Sequence, residues 1–328
     1  MSETNLPAVL DKIILLTSER DSDALESSLS QILLTLASVD NTSLYSAGNI
    51  TRAKHAISNN QAQSESEALP ESIVNALFEC LTTAKISTML LKNDKKLTLF
   101  PLMCSKQKPQ AIITVEEANH ASNHSLMLQI LAIYHNFMSL IHENERDTLT
   151  GLLNRKTFDL KINDIITGLK SHVQNQTDAH SYLAIFDLDH FKQVNDAHGH
   201  LIDDEVLLLF SQQMHKNFRD KDLLFRFGGE EFVGIFQCTD DDTIIHILDR
   251  FRETIAAFNF PQVGQVTVSC GFTKIDAFDL SSKIIDRADL SLYYAKHHGR
   301  NQICQYEPLI ASGALQEKES HSGEVELF

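Results

Sequence analysis

Residues 223–236 read LLFRFGGEEFVGIF, a pattern that leaves the backbone few choices. Two short runs rich in aromatic and aliphatic side chains flank a glycine pair, the composition of two strands joined by a tight turn where positive φ costs little. Residues 223–227 and 232–236 are expected to pair as a hairpin with Gly228 and Gly229 at its tip. Glycines there also let another molecule approach the backbone closely. Glu230 and Glu231 then open the returning strand, either as a solvated surface or as part of a site.

A second stretch, YLAIFDLDHFKQVNDAHGHLIDDEVLLLF, begins with an expected strand over 182–186 that ends at Asp187 and Asp189. Carboxylates at the end of a buried strand, with the carbonyl of Leu188 between them, are hard oxygen ligands of the kind magnesium takes. If that strand pairs beside the one starting at Glu230, the two carboxylates converge. Such a two-metal geometry can activate a hydroxyl and neutralise a phosphate in transfer. Asp203 or Asp204 is expected to cap a helix whose apolar face includes Val206, Leu207 and Phe210. Asn195 both donates and accepts, while Asp204 only accepts, a combination that suits a guanine edge; a plain capping role for Asp204 is the alternative.

Charge narrows the partners. A formal net charge of -16 supplies none of the basic surface that nucleic acid requires, although metal ions would let a single nucleotide bind. Cys80, Cys104, Cys238, Cys270 and Cys304 are scattered without a CxxC pair, which points to reduced thiols rather than a zinc site or a disulfide framework. No apolar run approaches a membrane span, and MSETNLPAVLDK lacks a basic-then-apolar signal. A cytoplasmic location without membrane contact is expected.

At 328 residues the chain has room for two domains, and it divides near residue 147. Helical spacing runs over residues 6–38 through Leu10, Ile13, Ile14, Leu25, Leu29, Ile32, Leu33 and Leu36. KHAISNNQAQSESEALP, residues 54–70, reads as an exposed loop, and a helix follows over 71–85. LTLFPLMCS and QAIITVEEA read as two strands, with Pro101 confining the first to an edge or a bulge. From Asn123, the expected cap, a helix runs through SLMLQILAIYHNFMSLIHENERD without glycine or proline. His124, His135 and His142 along it are read as solvated or interface histidines rather than haem or metal ligands. Two seams line the helix: Leu126, Ile130, Ile133, Phe137 and Leu140 beside Met127, Leu131, Tyr134, Met138 and Ile141. One can pack on its own domain and the other on a second subunit, so homodimerisation is expected; full burial on its own domain is the alternative.

The order of helix, loop, helix, paired strands and long exit helix over residues 5–145 resembles a GAF-type sensory domain. DTLTGLLNR, FDLDHFKQVNDAHGH, GGEEF, VSCGFT and ADLSLYYAKHHGRN follow in order over residues 147–306, and this part resembles the GGDEF family of diguanylate cyclases. Together the resemblances imply an α+β chain: a GAF-like domain at 1–122, a signalling and dimerisation helix at 123–147, a palm-like, ferredoxin-related cyclase domain at 148–308 and a disordered tail at 309–328. The implied activity condenses two GTP into cyclic di-GMP and two pyrophosphates, with one GTP on each subunit. Carried onto this sequence, Asp187, the carbonyl of Leu188 and Glu230 match the ligands of two Mg2+ ions, Mn2+ being the alternative. Glu231 assists the metal or the deprotonation of the 3′-hydroxyl. Asn195 and Asp204 match guanine contacts, Phe191 and Lys192 the phosphate-contacting turn, and Lys296 and Arg300 the cations on the terminal phosphates. The residues agree with the last pair: SSKIIDRADLSLYYAKHHGRN reads as a helix capped at Ser281 or Ser282 and stopped by Gly299, with Lys296 near its end. Cations offsetting the helix dipole are the plainer reading.

Arg219 and Asp222 form an RxxD pattern, with five residues separating Asp222 from Gly228. This matches the family's inhibitory site, where a guanidinium fork and a carboxylate grip the product's guanine and phosphate. Arg250, on a later helix, would contribute from the side. Product inhibition and control by the amino-terminal domain through the exit helix are thereby implied. The chain departs from the family at GHLIDD, where Asp203 replaces the usual glycine; added negative charge there would weaken triphosphate binding. The alternative to an active enzyme is a catalytically silent cyclic di-GMP receptor using the RxxD site, although the intact GGEEF favours the enzyme. A cyclase closing a mononucleotide ring would not need that site, and phosphodiesterase activity is not expected.

Overall fold

The computed structural model describes residues 6–19, 22–36, 39–47, 50, 55–58, 69–91, 94–103, 109–118, 124–172 and 180–316. The chain divides into two compact units, Met1–Asn144 and Glu145–Phe328.

In the first unit, α1 (Leu6–Ser18) and α2 (Ser22–Leu33) precede β1 (Val39–Ser46) and β2 (His55–Ser58); α3 (Glu71–Thr83) precedes β3 (Ser87–Leu90), β4 (Lys95–Met103) and β5 (Pro109–Ala118). The strands form one antiparallel sheet in the order β2-β1-β5-β4-β3. The single helix expected over 6–38 is two helices, and no glycine or proline marks the break. The loop expected over 54–70 contains β2, while residues 59–68, Cys104 and Asn123 lie outside the described residues. β4 is an interior strand rather than an edge. Pro101 is accommodated because β3 pairs with residues 96–99, so that among the described residues one side of β4 has no strand partner at the proline. The register against β5 slips between Leu102 and Met103.

The exit helix, α4 (His124–Glu145), buries Met127, Ile130, Tyr134, Met138 and Ile141 in the first unit's core. This is the second expected seam, with Ile130 in place of Leu131. Leu128 and Leu140 remain 41% and 58% exposed.

The second unit holds β6 (Leu153–Asn154), α5 (Arg155–His172), β7 (His180–Leu188), α6 (Phe191–His198), α7 (His200–Asn217), β8 (Leu223–Gly228), β9 (Glu231–Cys238) and α8 (Asp241–Ala257). The small strands β10 (Asn259–Phe260) and β11 (Gly264–Gln265) are followed by β12 (Val268–Lys274), α9 (Ser281–His297), β13 (Ile303–Gln305) and α10 (Tyr306–Ala311). Six strands order as β13-β12-β7-β9-β8-β6. The inner pairs are antiparallel and the two outer strands parallel to their neighbours.

Alternation along β7 serves two cores. Tyr182, Ala184, Phe186 and Leu188 pack with Val206, Phe210 and Phe251 of α7 and α8, whereas Leu183 and Ile185 meet Phe158 of α5 and Ile284 of α9. A strand covered on both faces reads as a continuous apolar run, as YLAIF does. α9 lies directly on β12, because a Cβ on Gly271 would collide with the backbone of Ala288 and Leu292. Neither Asp203 nor Asp204 caps α7, which starts earlier, at His200 behind Gly199. Ser281 and Ser282 likewise make no capping hydrogen bond, Leu280 being the N-cap of α9. α10 extends into the segment expected to be a disordered tail. Among the described residues, no helix is long and apolar enough to cross a membrane.

Candidate active site

The end of the sheet where β7 finishes also holds the starts of β9 and β12, since both run antiparallel to it. Register sets Asp187 opposite Glu231 on one side and Ser269 on the other. Glu230 sits one residue earlier, in the turn rather than in the strand. Lys296, in the last turn of α9, brings Nζ to 2.6 Å from Asp187 Oδ2, and the Asp187 side chain is only 7% exposed. Burial pushes the Asp187 carboxyl up to about 6; Lys296 pulls it down, while Glu230 and Glu231 add to the rise. A carboxylate in this condition gains from any further cation that approaches.

The hairpin tip is fixed from behind. Arg226 donates from Nε and Nη2 to the Gly229 carbonyl at 3.1 and 3.0 Å, and from Nη1 to Asp147 Oδ1 at 3.1 Å. Asp147 also accepts from the Thr150 backbone N–H and hydroxyl at 2.9 and 2.7 Å. Burial opposes the charge on Asp147, but bonds from Thr150 and Arg226 hold its carboxyl below the usual carboxylate range. The sequence places a turn at Asp147 and a strand at Arg226 but does not connect them. The available signal was a charged residue between two phenylalanines of β8.

Asp189, expected beside Asp187 as an oxygen ligand, is filled by protein donors: Ser269 Oγ at 2.7 Å, Thr267 Oγ1 at 2.6 Å and Asn301 N at 3.0 Å. Arg300 is exposed in the turn after α9, with φ 59. On α6, the Phe191 side chain belongs to the core, Lys192 is exposed and Asn195 is half-buried. The N–H of Gly199, which joins α6 to α7, donates to the Asn195 carbonyl at 2.9 Å. In the first turns of α7, Asp204 is exposed while Asp203 is buried, with one oxygen unpartnered. Burial pushes the Asp203 carboxyl up, His200 lowers it, and Asp204, Glu230 and Asp196 raise it further.

Among the described residues, no three His, Cys, Asp or Glu side chains form a ready-made metal cage. Magnesium is commonly held by one or two carboxylates completed by water and substrate phosphates. Asp187 and Glu230 carry hard oxygen donors of that kind, close enough for Glu230 to raise the Asp187 carboxyl.

Arg219 and Asp222 lie at the opposite end of the six-residue β8 from the glycine tip, roughly 20 Å away at the usual strand rise. Asp222 accepts from the Arg219 backbone N–H at 2.8 Å, closing the turn and leaving the Arg219 side chain exposed. Arg250 reaches the same corner, donating to the Asn217 carbonyl at 2.9 Å.

Residues 144–302 match the family model described as diguanylate cyclase, GGDEF domain. Diguanylate cyclase DgcP of Pseudomonas aeruginosa is 34% identical over 160 residues, covering 48% of this chain and 23% of that protein. Diguanylate cyclase DgcM of Escherichia coli strain K12 is 34% identical over 165 residues, covering 50% and 39% respectively. The chain thus spans less than half the length of these curated relatives. The crystal structure of the coiled coil and GGDEF domain of DgcB from Caulobacter crescentus, in complex with c-di-GMP, aligns at a TM-score of 0.50 and 23% identity, covering 56% of this chain and 96% of that one. That likeness concerns the fold.

Proposed function

We propose, from the match of residues 144–302 to the GGDEF diguanylate cyclase family model, that the chain condenses two GTP into cyclic di-GMP and two pyrophosphates. The observation that carries the reading is buried Asp187 at the end of β7, opposite Glu231, with Lys296 at 2.6 Å. In this reading Asp187, the Leu188 carbonyl and Glu230 would hold two Mg2+ ions, or Mn2+, which would neutralise phosphate charge and acidify the 3′-hydroxyl. Glu231 takes the hydroxyl proton. Asn195 and Asp204 orient guanine, and the turn at Phe191 and Lys192 faces the phosphates through backbone and Lys192 alone, since the Phe191 ring is in the core. Lys296 and Arg300 balance charge on the departing pyrophosphate.

The 3′-hydroxyl of one GTP must reach the α-phosphate of another, so two copies are required, and proximity is the main catalytic resource. The exposed Leu128 and Leu140 on α4 support pairing through that helix. The strand order β2-β1-β5-β4-β3 with flanking helices supports a GAF-like sensory role for the first unit. Arg219, Asp222 and Arg250 form the product site; a strand's length from the tip, cyclic di-GMP bound there acts by fixing domain arrangement rather than by filling the substrate pocket. The setting is cytoplasmic.

The test is to incubate the protein with GTP and magnesium and resolve the nucleotides by chromatography, beside a Glu230→Ala, Glu231→Ala double variant. Cyclic di-GMP from the wild type alone is the expected result. No product, with cyclic di-GMP binding abolished by Arg219→Ala, would identify a receptor instead.

A further inference from the structure

Asp189 is a buried carboxylate, 5% exposed, to which the reaction above gives no task. Its own N–H donates to the Thr267 carbonyl at 2.8 Å. Oδ1 accepts from Ser269, and Oδ2 accepts from both Thr267 Oγ1 and the backbone N–H of Asn301. The last bond reaches into an unusual turn. Arg300 and Asn301 are consecutive non-glycine residues with φ 59 and 43, a left-handed conformation that, two residues in a row, persists where surrounding structure holds it. Arg252 Nη1 adds a second hold, on Asn301 Oδ1 at 3.1 Å, and the Arg300 N–H closes onto the Ala295 carbonyl at 3.0 Å.

This turn carries Arg300 and directly follows the helix end that carries Lys296. We propose that Asp189 is a positioning residue: by holding the Asn301 N–H it fixes the strained turn after α9, and with it the reach of Lys296 and Arg300 towards the terminal phosphates of a bound nucleoside triphosphate. The proposal rests on the GTP reading above. It assigns Asp189 a geometric task rather than metal ligation, and the two differ in what they require. Asparagine meets the geometric need, because its carbonyl can accept from Thr267 and Asn301 while its amide donates to Ser269 Oγ, which can accept. Glutamate keeps the charge but moves the carboxylate by a methylene.

The experiment measures, by calorimetry on the full chain with magnesium, the affinities for GMP and for the α,β-methylene analogue of GTP, whose P–C bond prevents turnover. Asp189→Ala is expected to weaken the analogue about 10- to 100-fold, the range of one lost charge-assisted hydrogen bond, with GMP changed by less than about threefold. Asp189→Asn should bind both ligands about as wild type does, and Asp189→Glu should resemble the alanine variant. Equal weakening of both ligands by Asp189→Ala, or an asparagine variant worse than the glutamate one, overturns the proposal. Should the alanine variant fail to fold, the order of asparagine and glutamate decides. Wild-type protein binding the analogue no tighter than GMP would instead remove the GTP reading itself, before any variant is compared.

Discussion

Asp187→Asn should stabilise the metal-free protein at neutral pH while abolishing its activity. The Asp187 carboxyl is 7% exposed and its pKa is pushed from 3.8 to about 6, chiefly by burial, even with Lys296 at 2.6 Å. A carboxyl with a raised folded-state pKa holds its proton more tightly when folded than when unfolded. Its charge therefore favours unfolding; the penalty is complete above about pH 6 and disappears as the pH falls towards 4. At about 1.4 kcal/mol per pKa unit, the penalty is about 3 kcal/mol. Asparagine keeps the shape without the charge, and Lys296, one-third exposed, can turn to water. With EDTA and no nucleotide, the variant should be more stable by about 2–3 kcal/mol at pH 7.5, with the gap closing below pH 5. Urea unfolding read by hydrogen exchange on peptides from β7 and β9 reports the second unit alone. Excess magnesium should close the gap, since binding only the wild type at a hundredfold excess contributes about 2.7 kcal/mol. A variant less stable at pH 7.5, or a gap independent of pH, would mean that the ion pair outweighs burial and would refute the reasoning.

Replacing Arg226 by Lys keeps the charge but not the fork that spans Asp147 and Gly229; kcat should fall about 10- to 100-fold as the tip shifts, with faster hydrogen exchange at 228–231. Gly271→Ala should destabilise the second unit by about 1–3 kcal/mol, because α9 must lift off β12; calorimetry would show one lowered transition. Arg219→Ala should raise the cyclic di-GMP concentration for half-inhibition at least about tenfold, the value of a lost guanidinium–phosphate contact, read from initial rates at varied product.

The hairpin of β8 and β9 and the strand β7 were legible because their cause is local: glycines at the tip, apolar runs on either side, carboxylates at the ends. The first unit was less legible. β1 carries polar residues among buried ones, and β2 and β3 are four-residue strands whose pairing with distant partners, not their composition, makes them strands. The caps expected at Asp203, Asp204, Ser281 and Ser282 were misplaced because backbone at Gly199 and Leu280 starts the helices. Propensity ranks the residues suited to a cap but not where a packed helix begins.

By itself, then, the sequence marked the chemically capable side chains and where β7, β8 and β9 run, since both depend on neighbours a few residues away. Only the tertiary structure decided that Glu231 rather than Glu230 stands opposite Asp187, that Lys296 closes on Asp187, and that Asp189 belongs to the scaffold. Register and helix seating are set by the sum of contacts on both faces of the sheet, such as α9 resting on Gly271, and no local window of sequence contains that sum.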